Sequence, residues 1–115
     1  MEKPLKGITE MMKFVVLESP YAGNITENVA YARRALRDSI ARGEAPFASH
    51  LLYPQVLNDD ELDQRNRGIT LNYTFIEKCD YVAVYEDKGI SPGMLLAIDH
   101  AQHLGKIIVY REIEQ

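Results

Sequence analysis

The chemical signal of this chain is concentrated in Ser91-Pro92-Gly93, a hydroxyl, an imino acid and a bare backbone in succession. Serine supplies a helix-capping oxygen, proline takes the first helical position where an N–H has no partner anyway, and glycine admits a close neighbour. The triplet follows the apolar run Asp80-Tyr81-Val82-Ala83-Val84-Tyr85 and the turn Glu86-Asp87-Lys88-Gly89. A helix therefore starts at the carboxyl end of a strand, where free N–H groups and the positive end of the helix dipole suit a phosphate or a polarised sugar. Capping alone accounts for Ser91 and Gly93, yet N–H groups beside a sheet crevice are what phosphate sites are made of, so Ser91, Pro92, Gly93 and Met94 are assigned to ligand binding. Glu86 and Asp87 end the strand within reach of such a ligand and are the weak candidates for a catalytic carboxylate. A plain acidic surface explains them better.

A second group surrounds Ser19-Pro20-Tyr21-Ala22-Gly23-Asn24, the turn after the first apolar run. Tyr21 could stack or hydrogen-bond, and Asn24 could bind a hydroxyl; turn formation and a capping box with Glu27 explain them equally well. His50 could touch a base or phosphate, although an isolated histidine is more often structural. His100 and His103 lie three apart on a helix, but zinc needs a third ligand and no HExxH pattern exists, so no metal and no cofactor are expected. Arg65 and Arg67 could clamp an anion, against the stronger reading of a solvated acidic and basic helix face.

The elements that must position these residues follow from periodicity. Phe14-Val15-Val16-Leu17 reads as the first strand. A helix then opens at Asn24, carries Val29, Ala32, Leu36 and Ile40 on its apolar side, and stops at Gly43. The segment 45–50 reads as a second parallel strand, and an irregular stretch follows to Leu57. Asn58 with Glu61 signals a further helix, striped by Leu62, Ile69, Tyr73 and Ile76, with Gly68 as a weak point. The last helix presents Leu95, Ile98, Ala101 and Leu104, is stopped by Gly105, and feeds the strand 106–110. The order is β-α-β-α-β-α-β, an α/β doubly wound parallel sheet of four to five strands, with the ligand expected at the strands' carboxyl ends.

Composition narrows the function classes. A chain of 115 residues without internal repeats makes one domain, 13–115, behind a loose arm, 1–12. At 46% hydrophobic, 26% charged and net charge −4 it resembles an ordinary soluble protein, and neither duplex nucleic acid nor an anionic membrane is an expected partner. Cys79, the only cysteine, forbids an internal disulfide and fits a reducing, cytoplasmic setting. The run Phe14 to Leu17 is too short for a signal peptide or membrane span.

SPYAGN after strand one, APFASHLLYP after helix one, the CDYVAVYED strand and SPGM opening the last helix together resemble the nucleoside 2-deoxyribosyltransferase-like superfamily, and within it small phage- and prophage-associated members. The likeness spans Phe14 to Arg111. It implies a flavodoxin-like (Rossmann-like) sheet with a nucleoside or nucleotide pocket at the strand ends. The first loop, Ser19, Tyr21, Gly23 and Asn24, would contact sugar or phosphate, and an aspartate near the central strand, Asp80 here, would help hold the ribose. A glutamate of the last helix would attack the anomeric carbon, since a carboxylate can trap or stabilise an oxocarbenium-like centre. At that position stands Ala97. Asp99 is no substitute, because two residues along a helix turn the side chain by about 200°.

The expectation is thus a nucleoside- or nucleotide-binding protein that has lost the family's nucleophile, in a phage setting a sink for a nucleotide signal. The rival readings are an N-glycosidic enzyme, a deoxyribosyltransferase or nucleotide N-hydrolase using another carboxylate, and a protein-interaction module. Seven tyrosines, and pockets that related proteins complete across subunits, suggest a homo-oligomer, a dimer or larger.

Overall fold

The computed structural model describes residues 7–114, the side chains of Thr9 and Glu10 excepted. A single helical turn, α1 (Ile8–Met11), lies within the expected arm; residues 1–6 of that arm are outside the described residues. The elements β1 (Phe14–Glu18), α2 (Ile25–Ala41), β2 (Ala45–Phe47), α3 (Leu62–Lys78), β3 (Tyr81–Tyr85), α4 (Pro92–His103) and β4 (Ile107–Arg111) then alternate as the periodicity predicts. All pairings are parallel, in the order β2-β1-β3-β4, with Val16 beside Val82 and Val82 beside Ile108. No helix among the described residues is long and apolar enough to cross a membrane.

Both central strands are buried on both faces, which is why they read as continuous apolar runs rather than alternating ones. Val15, Leu17, Ala83 and Tyr85 point to one face and pack with Tyr31 and Ala35 of α2. Val16, Val82 and Val84 point to the other, against Ile76 of α3 and Met94, Ala97, Ile98 and Ala101 of α4. The two clusters are the two halves of an α/β/α sandwich, since successive strand residues face opposite ways.

Several helix faces are rotated from expectation. The buried residues of α2 are Asn28, Tyr31, Ala32, Ala35 and Ser39, while Ile40 is exposed. Leu62 and Ile69 of α3 and Leu95 and Leu104 at α4 are exposed as well. Small residues sit against the sheet, where Ala35, Ala97 and Ala101 let the helices approach closely, and the large leucines are left outside. The segment after β2 is shorter in strand and longer in turns than expected: Ala45–Phe47 is followed by 3₁₀ turns at Ser49–Leu51 and Tyr53–Gln55. Asn58 does not cap α3; its Oδ1 accepts from Asp60 N at 3.0 Å, and the helix starts at Leu62. Gly68 does not break α3. Its missing side chain faces Leu57 Cδ1, which an added Cβ would meet at 3.8 Å.

A buried polar network ties the far face together. Arg111 forks onto Glu44 through Nη1 to Oε1 at 2.8 Å and Nη2 to Oε2 at 2.6 Å. Glu44 also accepts from Ser39 and Tyr81, and Tyr85 donates to Asp38 at 2.8 Å. Desolvation raises the Glu44 pKa, but the bonds from Arg111, Tyr81 and Ser39 outweigh it and bring the carboxyl down to about 2. The pair joins β4 to the start of β2 and stays charged across the working pH range.

Candidate functional site

In this sheet the chain steps from β1 outward to β2 and then jumps to β3 on the other side of β1. Strand order therefore reverses between β1 and β3, and the loops leaving their carboxyl ends diverge and open a crevice. A cavity of about 340 Å³ occupies it, within the size range of small-molecule sites. The end of β1, the two 3₁₀ turns, one side of α3 and the first turns of α4 enclose it.

Its least exposed polar group is Glu18, the last residue of β1, with 4% of its surface accessible. Asn72 of α3, itself 7% exposed, donates from Nδ2 to Glu18 Oε2 at 2.8 Å. Burial raises the Glu18 pKa from 4.5 to about 7, only partly opposed by the Asn72 bond. Near neutrality the carboxyl is thus shared between its acid and its ion. The second amide atom of this pair, Asn72 Oδ1, is buried with no hydrogen-bond partner among the described residues. A buried acceptor without a donor is costly, and Asn72 is one of the residues that line the cavity.

Aromatic groups line the cavity on two sides. Tyr21 and His50 lie with ring centroids 5.0 Å apart at 35°. Asn28 holds the Tyr21 loop by donating to both Tyr21 O and Ala22 O at 3.0 Å. Burial depresses the His50 pKa, against the Asp59 carboxylate and the Ser19 backbone, so the ring is neutral at neutral pH. Tyr73 lines the cavity from α3 and stacks on His100 of α4 at 4.3 Å and 12°.

The start of α4 is also on the cavity, in a narrower form than the sequence suggests. Met94 N donates to Ser91 Oγ at 3.2 Å, and Ser91 N reaches Met94 Sδ at 3.3 Å. These bonds occupy two of the donors expected to meet an anion, and Pro92 has none. Gly93 N–H is left without a partner among the described residues. Arg65 reaches the same cavity from α3, whereas Arg67 does not line it.

Of the residues assigned from sequence, Tyr21, His50, Ser91, Pro92, Gly93 and Met94 line the cavity. Ser19, Gly23, Asn24, Asp80, Glu86 and Asp87 do not. Asn24 caps α2, accepting from Glu27 N at 3.2 Å, and Gly23 turns the chain with φ of 98°. Asp80 precedes β3 at the amino end of the sheet, where a carboxylate oxygen accepts from Phe14 N at 2.7 Å; it is on the wrong edge for a ribose bound at the carboxyl ends. Glu86 donates its N–H to Arg111 O at 3.0 Å, continuing the sheet. Asp87 accepts from Tyr31 at 2.6 Å, Ile113 N at 3.0 Å and Glu114 N at 2.8 Å. Desolvation raises its pKa, but those bonds outweigh it and hold it below the usual carboxylate range. Its donors tie down the C-terminal segment.

Glu18 and Asn72 escaped the sequence reading. One signal was present: Glu18 is a charged residue closing an apolar run in what becomes a central strand, where no solvent-facing side exists. Asn72 had no such mark, since polar residues are ordinary on a helix. Ala97 is 2% exposed and lines the cavity, so no carboxylate projects from that turn of α4. His103 and Asp99 are exposed, as a solvated helix face requires.

Solved structures share this architecture. The chain is similar to a 2-deoxyribosyltransferase from Bacillus psychrosaccharolyticus, with TM-score 0.64 and 18% identity over 86% of this chain and 72% of that one. A 2-desoxiribosyltransferase from Leishmania mexicana gives 0.57 and 16%, over 89% and 65%. The CMP N-glycosidase BcmB of Clostridium botulinum gives 0.52 and 21%, over 87% and 71%. At such identities the likeness shows the fold. No curated protein matches the sequence. A family model described as "Domain of unknown function (DUF7768)" matches residues 13–111.

Proposed function

The chain belongs to the DUF7768 family, and from that premise we propose that it is a nucleoside- or nucleotide-binding domain whose pocket is the crevice between β1 and β3. The observation that carries this reading is the cavity itself: it stands at the point of strand reversal, with tyrosine and histidine rings on its walls and the buried Glu18–Asn72 pair inside. An aromatic-lined pocket with a few fixed polar groups suits a planar base carrying a polar substituent. The fold shared with two enzymes named 2-deoxyribosyltransferase and one named CMP N-glycosidase supports it.

Ala97 stands where the family resemblance places the attacking glutamate, so the proposed activity is retention of an intact ligand; in a phage setting that would remove a nucleotide signal from circulation. A second reading is favoured by Glu18. A buried carboxyl near its midpoint at neutral pH can give a proton to a departing base, and in this reading it replaces the missing carboxylate in N-glycosidic cleavage. Glu86 and Asp87 have no part in either, as both lie off the cavity. A homo-oligomer also fits: Leu96 and Ile69 line the cavity and are exposed, and Leu95 beside them is 56% exposed, so a second copy seated there would cover the mouth.

The test is retention of ligand. Stoichiometric protein is incubated with nucleosides, mononucleotides, cyclic dinucleotides and NAD-derived nucleotides, then bound and free fractions are separated and read by HPLC, with light scattering for the oligomer. Intact ligand in the bound fraction supports the binding reading, and free base in solution supports cleavage. Nothing bound and nothing cleaved would reject both and leave the protein-interaction module.

A further inference from the structure

Glu18 Oε2 already accepts the Asn72 Nδ2 hydrogen, which fixes the orientation of the amide and commits its other end, Oδ1, to the role of acceptor. Oδ1 is buried and unpartnered, and both residues line the cavity. What a ligand must bring to this spot follows from counting donors and acceptors on base edges.

A carboxyl can pair with either type of base edge. In its acid form it gives a hydrogen to a ring nitrogen and accepts one from an adjacent amine, as on cytosine or adenine, but it pairs as readily with the N–H and carbonyl of uracil or hypoxanthine. Asn72 Oδ1 breaks that tie. Only an exocyclic –NH₂ has a second hydrogen, one for the carboxyl and one for Oδ1. An oxo base puts a carbonyl oxygen in that place, acceptor against acceptor, with both groups deprived of water. We propose that the Glu18–Asn72 pair selects nucleobases bearing an exocyclic amine and rejects their oxo counterparts, Asn72 being the specificity-determining residue.

The inference rests on the nucleotide-pocket reading and deepens it. The ligands CMP and UMP, or AMP and IMP, differ in little beyond the exchange of amine for carbonyl.

The experiment is titration calorimetry of the full chain with these two pairs. CMP and AMP should bind about tenfold or more tighter than UMP and IMP, the expected effect of leaving a buried acceptor unpaired. In Asn72→Leu, of similar volume, the preference within each pair should fall below about threefold, because no acceptor remains to be offended. Glu18→Gln, which keeps a donor and an acceptor at the same place, should retain binding of CMP. Glu18→Leu, which removes donor and acceptor together, should weaken CMP about tenfold or more, and a folded Glu18→Leu variant that holds CMP as tightly as the unaltered chain would refute the base-reading role of Glu18. Equal affinities within each pair in the unaltered protein, or an unchanged preference in a folded Asn72→Leu variant, would overturn the selectivity while leaving the nucleotide pocket standing. Failure of all four ligands to bind would overturn the inference, and the pocket reading falls with it only if the wider panel of nucleosides and nucleotides is also neither bound nor cleaved.

Discussion

Replacing Glu18 by glutamine should make the ligand-free protein more stable in alkali, and the magnitude follows from the displaced titration. A carboxyl whose pKa is 4.5 when unfolded and about 7 when folded resists ionisation in the native state. At 1.36 kcal/mol per pKa unit, ionised Glu18 therefore burdens the fold by about 3 kcal/mol. Because the folded pKa is the higher one, its contribution is fully favourable below about pH 4.5 and is lost as pH rises through 7. Glutamine keeps an acceptor for Asn72 Nδ2 and has no proton to lose. At pH 8 the variant should melt about 10 °C above the unaltered chain, taking roughly 4 °C per kcal/mol for a domain of this size, and at pH 4.5 the two should coincide. His50, whose pKa is depressed by burial, acts with the opposite sign, losing stability as pH falls through its range. Glu44 and Asp87 have lowered values and act only on the acid side. All three are common to both proteins, so the difference between the two melting curves isolates Glu18. Scanning fluorimetry from pH 4.5 to 8.5 measures it; parallel pH profiles would show that Glu18 is not the buried carboxyl described here.

Other perturbations separate pocket from scaffold. Arg111→Met strands Glu44, whose side chain is 8% exposed, and should cost about 3 to 5 kcal/mol in urea unfolding without altering which nucleotides are preferred. Asp87→Asn weakens the bonds to Tyr31, Ile113 N and Glu114 N, so the C-terminal segment should exchange amide hydrogens faster while nucleotide retention is unchanged; lost retention would bring Asp87 back to the site. Gly93→Leu has room in the protein, since an added Cβ meets only Ser91 Oγ at 4.0 Å, and it should melt normally yet hold no ligand. Ala97→Glu places a carboxyl on the cavity wall and should yield slow release of free base by HPLC, partial at best because one carboxylate needs accurate placement. Inert, fully retained ligand would mean that Ala97 is not what stops cleavage.

The sequence by itself determined the local units: apolar runs without alternation for β1 and β3, the cap at Ser91, and intervals long enough for crossover helices, which together force a parallel sheet with its crevice at the carboxyl ends. These features are legible because each depends on residues within one turn or one strand of each other. Local spacing also put Tyr21 and the Ser91–Met94 turn at the rim where the cavity opens, since a loop after a parallel strand must emerge there, and His50, taken from the family resemblance, lines the same cavity. Asp80, which the family resemblance assigned to the ribose, stands one residue before β3 at the amino end of the sheet and off the cavity; a carboxylate before a strand differs from one after it only by the direction of the chain through the sheet. Asp87, by contrast, lies on the correct side of β3 but is taken by Tyr31, 56 residues away. Only the tertiary structure could bring Glu18 within 2.8 Å of Asn72, 54 residues distant, and empty the turn at Ala97 toward the same cavity. Periodicity records which face of an element is apolar; it does not record which polar side chains from different crossovers meet, and the chemistry of this pocket is set by that meeting.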